Sequence, residues 1–247
     1  MKILALDIET RPALVYTWQL YEPHINIEMV KDPGGVFCFA AKFLESGKME
    51  FLSDHHDGHE AMIKRAWELL DETDAVLHFN GASFDEKHLN REFMEHHLPP
   101  PSPYKTIDLY KTVKKRAKFL SNKLAWVGPR LGLEGKVKHE GFGLWLKCMD
   151  GNETAWRNMK RYNVRDVTEL EELYLELRPW IPAHPNHAVY NGADCCPYCG
   201  STSFQFRGTF KTQVSTFRKR WCKICGGWSR VTKQDPDVPR AGVVQIS

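Results

Sequence analysis

Apolar and polar positions separate cleanly at the start of the chain. In MKILALDIETRP, six of the first eight residues are apolar, and the run closes on Asp7, Glu9 and the Arg11-Pro12 stop. KILALDI predicts a buried central strand. Residues 12–35 show no clear period and read as a long excursion. VFCFAAKFL is strand-like, Glu45 to Lys48 suggests a hairpin turn, and MEFLS would be the returning strand. HEAMIKRAWELLDE has apolar residues at helical spacing, and AVLHFN is a short buried strand. SFDEKHLNREFMEHH carries Phe84, Leu89 and Phe93 at helical spacing, with Ser83 as the expected N-cap. Residues 99–103 form a proline-rich connector. IDLYKTVKKRAKFL and SNKLAWVGPRLGL read as helices, the second kinked or split at Gly128-Pro129. Asn152 opens a long helical pattern that ends near Arg178-Pro179, and IPAHPNHAVYNGAD has the composition of a linker. Strand, hairpin, helix, strand, helix and then helices make a mixed α/β layer architecture.

Composition adds a compartment and an asymmetry. The chain has 247 residues, 42% hydrophobic and 26% charged, enough for one full domain and a small one. No apolar run approaches the ~18 residues of a membrane span. No cleavage-site pattern follows the first residues, so a cytoplasmic protein with reduced thiols is expected. Of seven cysteines, Cys38 and Cys148 stand alone in apolar surroundings, and Cys195, Cys196, Cys199, Cys222 and Cys225 crowd the last fifth. Such crowding in a reducing compartment implies metal before disulfide. From Cys195 onward there are nine Lys/Arg against two Asp, whereas the remainder holds 25 against 29 acids. An acidic body with a basic tail points to a polyanionic partner for the tail.

Residues two apart on a strand share a face, so Asp7 and Glu9 are neighbours. Like charges at that spacing repel unless a cation lies between them, and hard oxygen donors suit magnesium or manganese. Taken alone, D-x-E is equally a solvated strand end. In HFNGASFDEKHLN, Asp85 enters a helix directly after a buried strand, where dipole compensation would also place it. In RYNVRDV, Tyr162 and Asp166 are i and i+4 on a face that Leu170 and Leu173 turn inward. Asp108 in KTIDLYK is either a support for such a site or a helix N-cap.

These three segments, in this order, resemble the three signatures of the DEDD (DnaQ-like) 3′–5′ exonuclease superfamily. They are D-x-E on the first strand, N-x-x-x-F-D entering a helix, and Y-x-x-x-D on a late helix. The chain is similar to the tyrosine (DEDDy) branch over roughly residues 2–178, since Arg161 stands where the histidine branch would need His. NKLAWVGPRLGL also looks like the segment that family places between its second and third motifs. The resemblance implies a ribonuclease H-like mixed sheet flanked by helices. It implies Asp7, Glu9, Asp85 and Asp166 as ligands of two Mg²⁺ or Mn²⁺, with Asp7 bridging both ions. Tyr162 would orient the attacking water, Thr10 would lie against the terminal nucleotide, and Asn80 and Phe84 would position and pack. Two cations about 3.5–4 Å apart suit a phosphodiester transition state, which gathers charge on attacking and leaving oxygens.

CPYCG and CKICGG are both C-x-x-C followed by Gly, and 22 residues separate Cys199 from Cys222. Cys196, Cys199, Cys222 and Cys225 therefore form a candidate tetrahedral zinc site, with Cys195 as a competing ligand. The segment resembles a small β zinc ribbon with FQFRGTF, STFRKRW and GWSRVTK as strands. Between the knuckles Arg207, Lys211, Arg218, Lys219 and Arg220 interleave with Phe206, Phe210, Phe217 and Trp221, without an acid. Cations for phosphates and rings for bases make a single-strand platform. Docking to a replication or repair protein is the rival use.

The expected organisation is an exonuclease domain over 1–180, a linker over 181–193, the ribbon over 194–235 and a tail over 236–247. The expected activity is two-metal-ion hydrolysis of single-stranded nucleic acid, DNA before RNA, from the 3′ end. A non-catalytic nucleic-acid adaptor and a structure-selective endonuclease are the alternatives. With no room for a polymerase or helicase module, proofreading would need a separate protein, and the build suits a bacterium or a phage-infected cell. DHHDGHE at 54–60 reads as a solvated loop despite its metal-binding residue types, and HPNH at 184–187 as linker with a possible pH effect on phosphate affinity.

Overall fold

The structure, a computed structural model, describes residues 1–21, 24–44, 46–134, 140–192 and 194–242. The elements of the first unit are β1 (Ile3–Arg11), β2 (Leu14–Val15), β3 (Val30–Asp32), β4 (Gly35–Phe43), β5 (Met49–Ser53), α1 (Asp54–Asp57), α2 (His59–Asp71), β6 (Ala75–His78), α3 (Asp85–Glu95), β7 (Lys105–Asp108), α4 (Leu109–Arg116), α5 (Leu124–Arg130), α6 (Phe142–Met149) and α7 (Glu153–Leu177). α8 (His187–Asn191), β8 (Phe204–Lys211), β9 (Thr216–Cys222) and β10 (Trp228–Arg230) follow. Two compact units separate near the end of α7: residues 2–174, and residues 175 onward together with Met1.

In the larger unit the sheet runs β5-β4-β1-β6-β7. β1, β4 and β5 are antiparallel, whereas β1, β6 and β7 are parallel. The apolar run of KILALDI lies at the centre because both of its faces are covered. Leu4, Leu6 and Ile8 pack with Met62, Ile63, Ala66, Leu69 and Leu70 of α2 and Leu89 and Phe93 of α3. Phe37 and Cys38 of β4 pack with Leu144 and Cys148 of α6 and Ala155, Trp156 and Met159 of α7. The mixed α/β sheet flanked by helices is the expected architecture. Among the described residues, no helix is long and apolar enough to cross a membrane.

Several elements differ from the sequence reading. Ile107 and Asp108 end a strand, β7, before the helix that KTIDLYK suggested begins. FGLWLKCM forms α6, which its nearly continuous apolar composition concealed. The excursion 12–35 contains the short pair β2–β3. The linker segment contains α8, capped by Asn186. Ser83 does not cap α3: it lies in a single 3-10 turn, and its hydroxyl donates to the carbonyl of Asn80.

Glu92 shows how α3 is fixed to the sheet. It is 2% exposed, accepts from the Val36 amide at 2.9 Å and from Arg91 at 2.8 Å, and pairs with His59 Nε2 at 3.0 Å. Burial alone would raise its carboxyl, but the His59, Val36 and Arg91 partners outweigh it and hold the pKa at about 2, down from 4.5. A depressed value contributes stability above pH 4.5 that is lost as pH falls toward 2. Glu92→Gln is expected to cost about 3 kcal/mol at pH 7, with the gap to wild type narrowing through that acid window. Denaturant midpoints measured across pH check this, and a gap that ignores pH contradicts it.

Candidate active site and cysteine cluster

Alternation along β1 decides where its acids point. Leu4, Leu6 and Ile8 occupy the α2/α3 face, so Asp7 and Glu9 project from the other face. There they meet α7, and single carboxylate oxygens of Asp7, Glu9 and Asp166 lie within 4.8 Å of one another. The β1–β4 register slips between Glu9 and Thr10, a bulge of the kind that re-aims side chains beside functional sites.

α7 contributes through one face. Asp166 is buried, Tyr162 is half-buried with its ring edge-on to Trp145, and Asn163 between them is fully buried. Asn163 Nδ2 donates to Asp7 Oδ2 at 2.7 Å and to the Asp7 carbonyl at 3.2 Å. Nothing in the local pattern marks Asn163 as a site residue, although its place three residues before Asp166 puts both on one face. Glu169, fully buried one turn further on, is also new. A Cβ at Gly128 would lie 2.6 Å from its Oε1, so glycine there lets α5 approach α7.

Asp85 opens α3 and joins the site through the backbone. The parallel ladder between β1 and β6 stops at Ala5 opposite Leu77. Beyond it, the Ile8 amide donates to Asp85 Oδ1 at 3.2 Å. Asp85 lies outside the tight group formed by the other three acids. Its approach depends on a sharp turn. Asn80 adopts the left-handed region at φ 70°, which Asn tolerates better than most residues. The Gly81 amide donates to His78 Nδ1 at 2.9 Å, and a Cβ on Gly81 would sit 2.8 Å from Asp85 Oδ2. Asp108 is the N-cap of α4 and also accepts from the turn at Asn80. Its Oδ1 caps α4 through the Lys111 amide at 3.2 Å and holds the Asn80 amide at 3.1 Å. Phe84 is exposed with its ring against His88. Thr10 borders an open depression of about 350 Å³ with Pro12, Gly141, Phe142 and Trp145.

The surroundings register a concentrated negative potential. Burial first, then Asp166, Glu9 and Asp7, push the Tyr162 phenol well above its ordinary pKa. Burial, then Glu9 and Asp7, do the same to the Cys38 thiol. Burial raises Asp85 above the usual carboxylate range, against the opposing pull of the Ile8 amide and His78. A divalent cation is the counter-charge that reverses this logic, and the all-oxygen donor set fits magnesium or manganese.

In the smaller unit, β10, β9 and β8 form an antiparallel sheet. Cys196, Cys199, Cys222 and Cys225 gather their sulfurs within 4.8 Å. The Cys196–Cys225 and Cys199–Cys222 separations are 3.6 and 3.7 Å, close to the about 3.8 Å that tetrahedral zinc with 2.3 Å bonds requires. Cys195 is buried but outside this group. Burial pushes the Cys196 thiol well up, whereas at Cys222 burial is outweighed by the Cys225 and Ile224 amides, which bring the thiol down to about 7.

The basic residues of the ribbon stack on its rings. Arg207 lies over Trp221 at 4.3 Å, Arg218 over Phe206 at 4.0 Å, and Arg230 over Phe217 at 4.0 Å. Lys211 is exposed. Arg220 is used internally: it is 7% exposed, paired with Asp194 at 2.7 Å and stacked over Phe204. The anticipated stacking of bases on these rings therefore meets one face of each already occupied by a cation. His184 and His187 pack together and His184 against Tyr198. Burial holds His187 down to about 4, so it is neutral at physiological pH and does not supply the pH effect considered for HPNH.

A five-stranded mixed sheet with acids at the tip of its central strand and a late helix laid across them defines a ribonuclease H-like α/β protein. A family-level comparison matches residues 24–178 to the RNase H superfamily, and the chain belongs to it. Membership carries a nuclease-type chemistry on nucleic acids, supported by divalent metals. A search of curated proteins returns no match.

Proposed function

We propose that this chain is a two-metal-ion 3′–5′ exonuclease of the DEDDy type acting on single-stranded nucleic acid, DNA before RNA. The observation that carries the reading is the convergence of Asp7, Glu9 and Asp166 beside Tyr162 from positions nearly 160 residues apart. Asp7, Glu9, Asp85 and Asp166 would hold the ions, whose chemistry is to acidify water and to stabilise charge on the attacking and leaving oxygens. Tyr162, kept neutral by its surroundings, orients the nucleophile through its hydroxyl without adding charge. Asn163 holds the Asp7 carboxylate in its rotamer. Thr10 and the exposed Phe142 give the terminal nucleotide a polar contact and a stacking face, with Asn80 and Phe84 as positioning and packing residues. The zinc ribbon tracks the strand with Arg207, Lys211, Arg218 and Trp221 or docks a replication or repair protein, within a cytoplasmic setting.

Single strands labelled at the 5′ end and incubated with Mg²⁺ or Mn²⁺ should shorten one nucleotide at a time, DNA faster than RNA. Internal fragments would make the chain an endonuclease, and binding without cleavage an adaptor.

A further inference from the structure

A second donor cluster lies at the first residue of α7, apart from the carboxylates near the middle of that helix. His55 and His56 of α1 face Glu153, the first residue of α7, 98 and 97 positions away. His55 Nε2 lies 2.9 Å from Glu153 Oε1, and His56 Nε2 lies 3.3 Å from Glu153 Oε2. The three ligand atoms fall within 4.8 Å of one another.

The two imidazoles are held in place before any ion arrives. His55 stacks on the indole of Trp156, with planes 9° apart and centroids 5.4 Å apart. His56 meets the same indole edge-on, and Trp156 is 2% exposed. His56 Nδ1 is engaged by Ser53 Oγ at 2.8 Å, which leaves Nε2 as the outward nitrogen. A hydrogen bond to the non-ligating nitrogen is the usual support of a metal-binding histidine. Asp54 and Asp57 on the same turn add negative charge, partly offset by Arg11, whose guanidinium is 3.6 Å from Asp54.

We propose that His55, His56 and Glu153 form a binding site for a borderline first-row divalent ion such as zinc or nickel. Two imidazole nitrogens and one carboxylate select such ions over magnesium or calcium. A tetrahedral ion needs donor separations of about 3.3 Å, which the three donor atoms, all within 4.8 Å of one another, reach by small side-chain adjustments. The ion clasps α1 to the first turn of α7. Glu153 and Tyr162 are nine residues apart, about 13 Å along the axis, so the clasp restrains the helix that carries Tyr162, Asn163 and Asp166 without touching them. The related group His59, Glu92 and His96 is the poorer candidate, because Val36 and Arg91 already engage Glu92.

The test uses the full chain holding one equivalent of zinc, enough for the four-cysteine cluster alone, titrated with Ni²⁺ and followed by the ring protons of its histidines. The paramagnetic ion should broaden His55 and His56 first, near one equivalent and at micromolar concentration. The double variant His55→Gln, His56→Gln should bind that equivalent at least tenfold more weakly. Broadening spread evenly over the eleven histidines overturns the proposal in the unmodified protein, whatever the variant's stability. So does a folded double variant that takes up Ni²⁺ as the wild type does.

Discussion

Replacing Asp7 by Asn is expected to lower strand hydrolysis in Mg²⁺ at least about 10³-fold while leaving the larger unit at least as stable as wild type. Asn has the same shape, and its amide oxygen can still accept from Asn163 Nδ2, which now bonds Asp7 Oδ2. What disappears is a negative charge set among Glu9 and Asp166. Where no cation is bound, that loss relieves repulsion, so Tm holds or rises. Where cations are required, the same loss removes a ligand. Opposite signs on stability and rate separate a catalytic acid from a structural one. Asn163→Ala should cost about 10–100-fold, the usual effect of removing a ligand's support. Rates near wild type for Asp7→Asn, or an unfolded variant, would contradict the reading.

Cys222→Ser is expected to unfold the small unit and leave the larger one intact. β8, β9 and β10 bury few side chains, and every residue of β8 from Gln205 to Lys211 is exposed. A ribbon this thin gains its folding free energy from the metal, on the order of 10 kcal/mol for structural zinc. Zinc content should fall from about one ion per chain to almost none, and the amide resonances of β8–β10 should collapse, while residues 2–174 keep a cooperative melt. Dispersed ribbon resonances in excess chelator would show that the sulfurs do not depend on an ion.

How much of this was legible in the sequence depends on the range of the interaction. Alternation in KILALDI is local, so the central strand and the common face of Asp7 and Glu9 follow from it. The cysteine knuckles are legible because a metal site constrains spacing, although Cys196 over Cys195 needed three dimensions. β7 was hidden because only Ile107 and Asp108 of its four residues are buried, too short a run to show a period. The excursion and linker concealed β2–β3 and α8 for the same reason of length. Ser83 fits the rule for an N-cap, but left-handed Asn80 starts a 3-10 turn first and takes its hydroxyl. The first four residues of DHHDGHE form α1 and the last two open α2, and Glu153, the partner of His55, lies nearly a hundred residues away, a pairing no local pattern encodes. Asn163 lies inside the Y-x-x-x-D segment but carries no local signal of its role, because its work, holding Asp7, is likewise nonlocal.

The most direct test of the central claim is anomalous diffraction from crystals of the chain soaked in Mn²⁺. Two peaks about 3.5–4 Å apart, ligated by Asp7, Glu9, Asp85 and Asp166, are predicted. A carboxylate cluster that stays without an ion at saturating Mn²⁺, while the metal binds elsewhere, would contradict it.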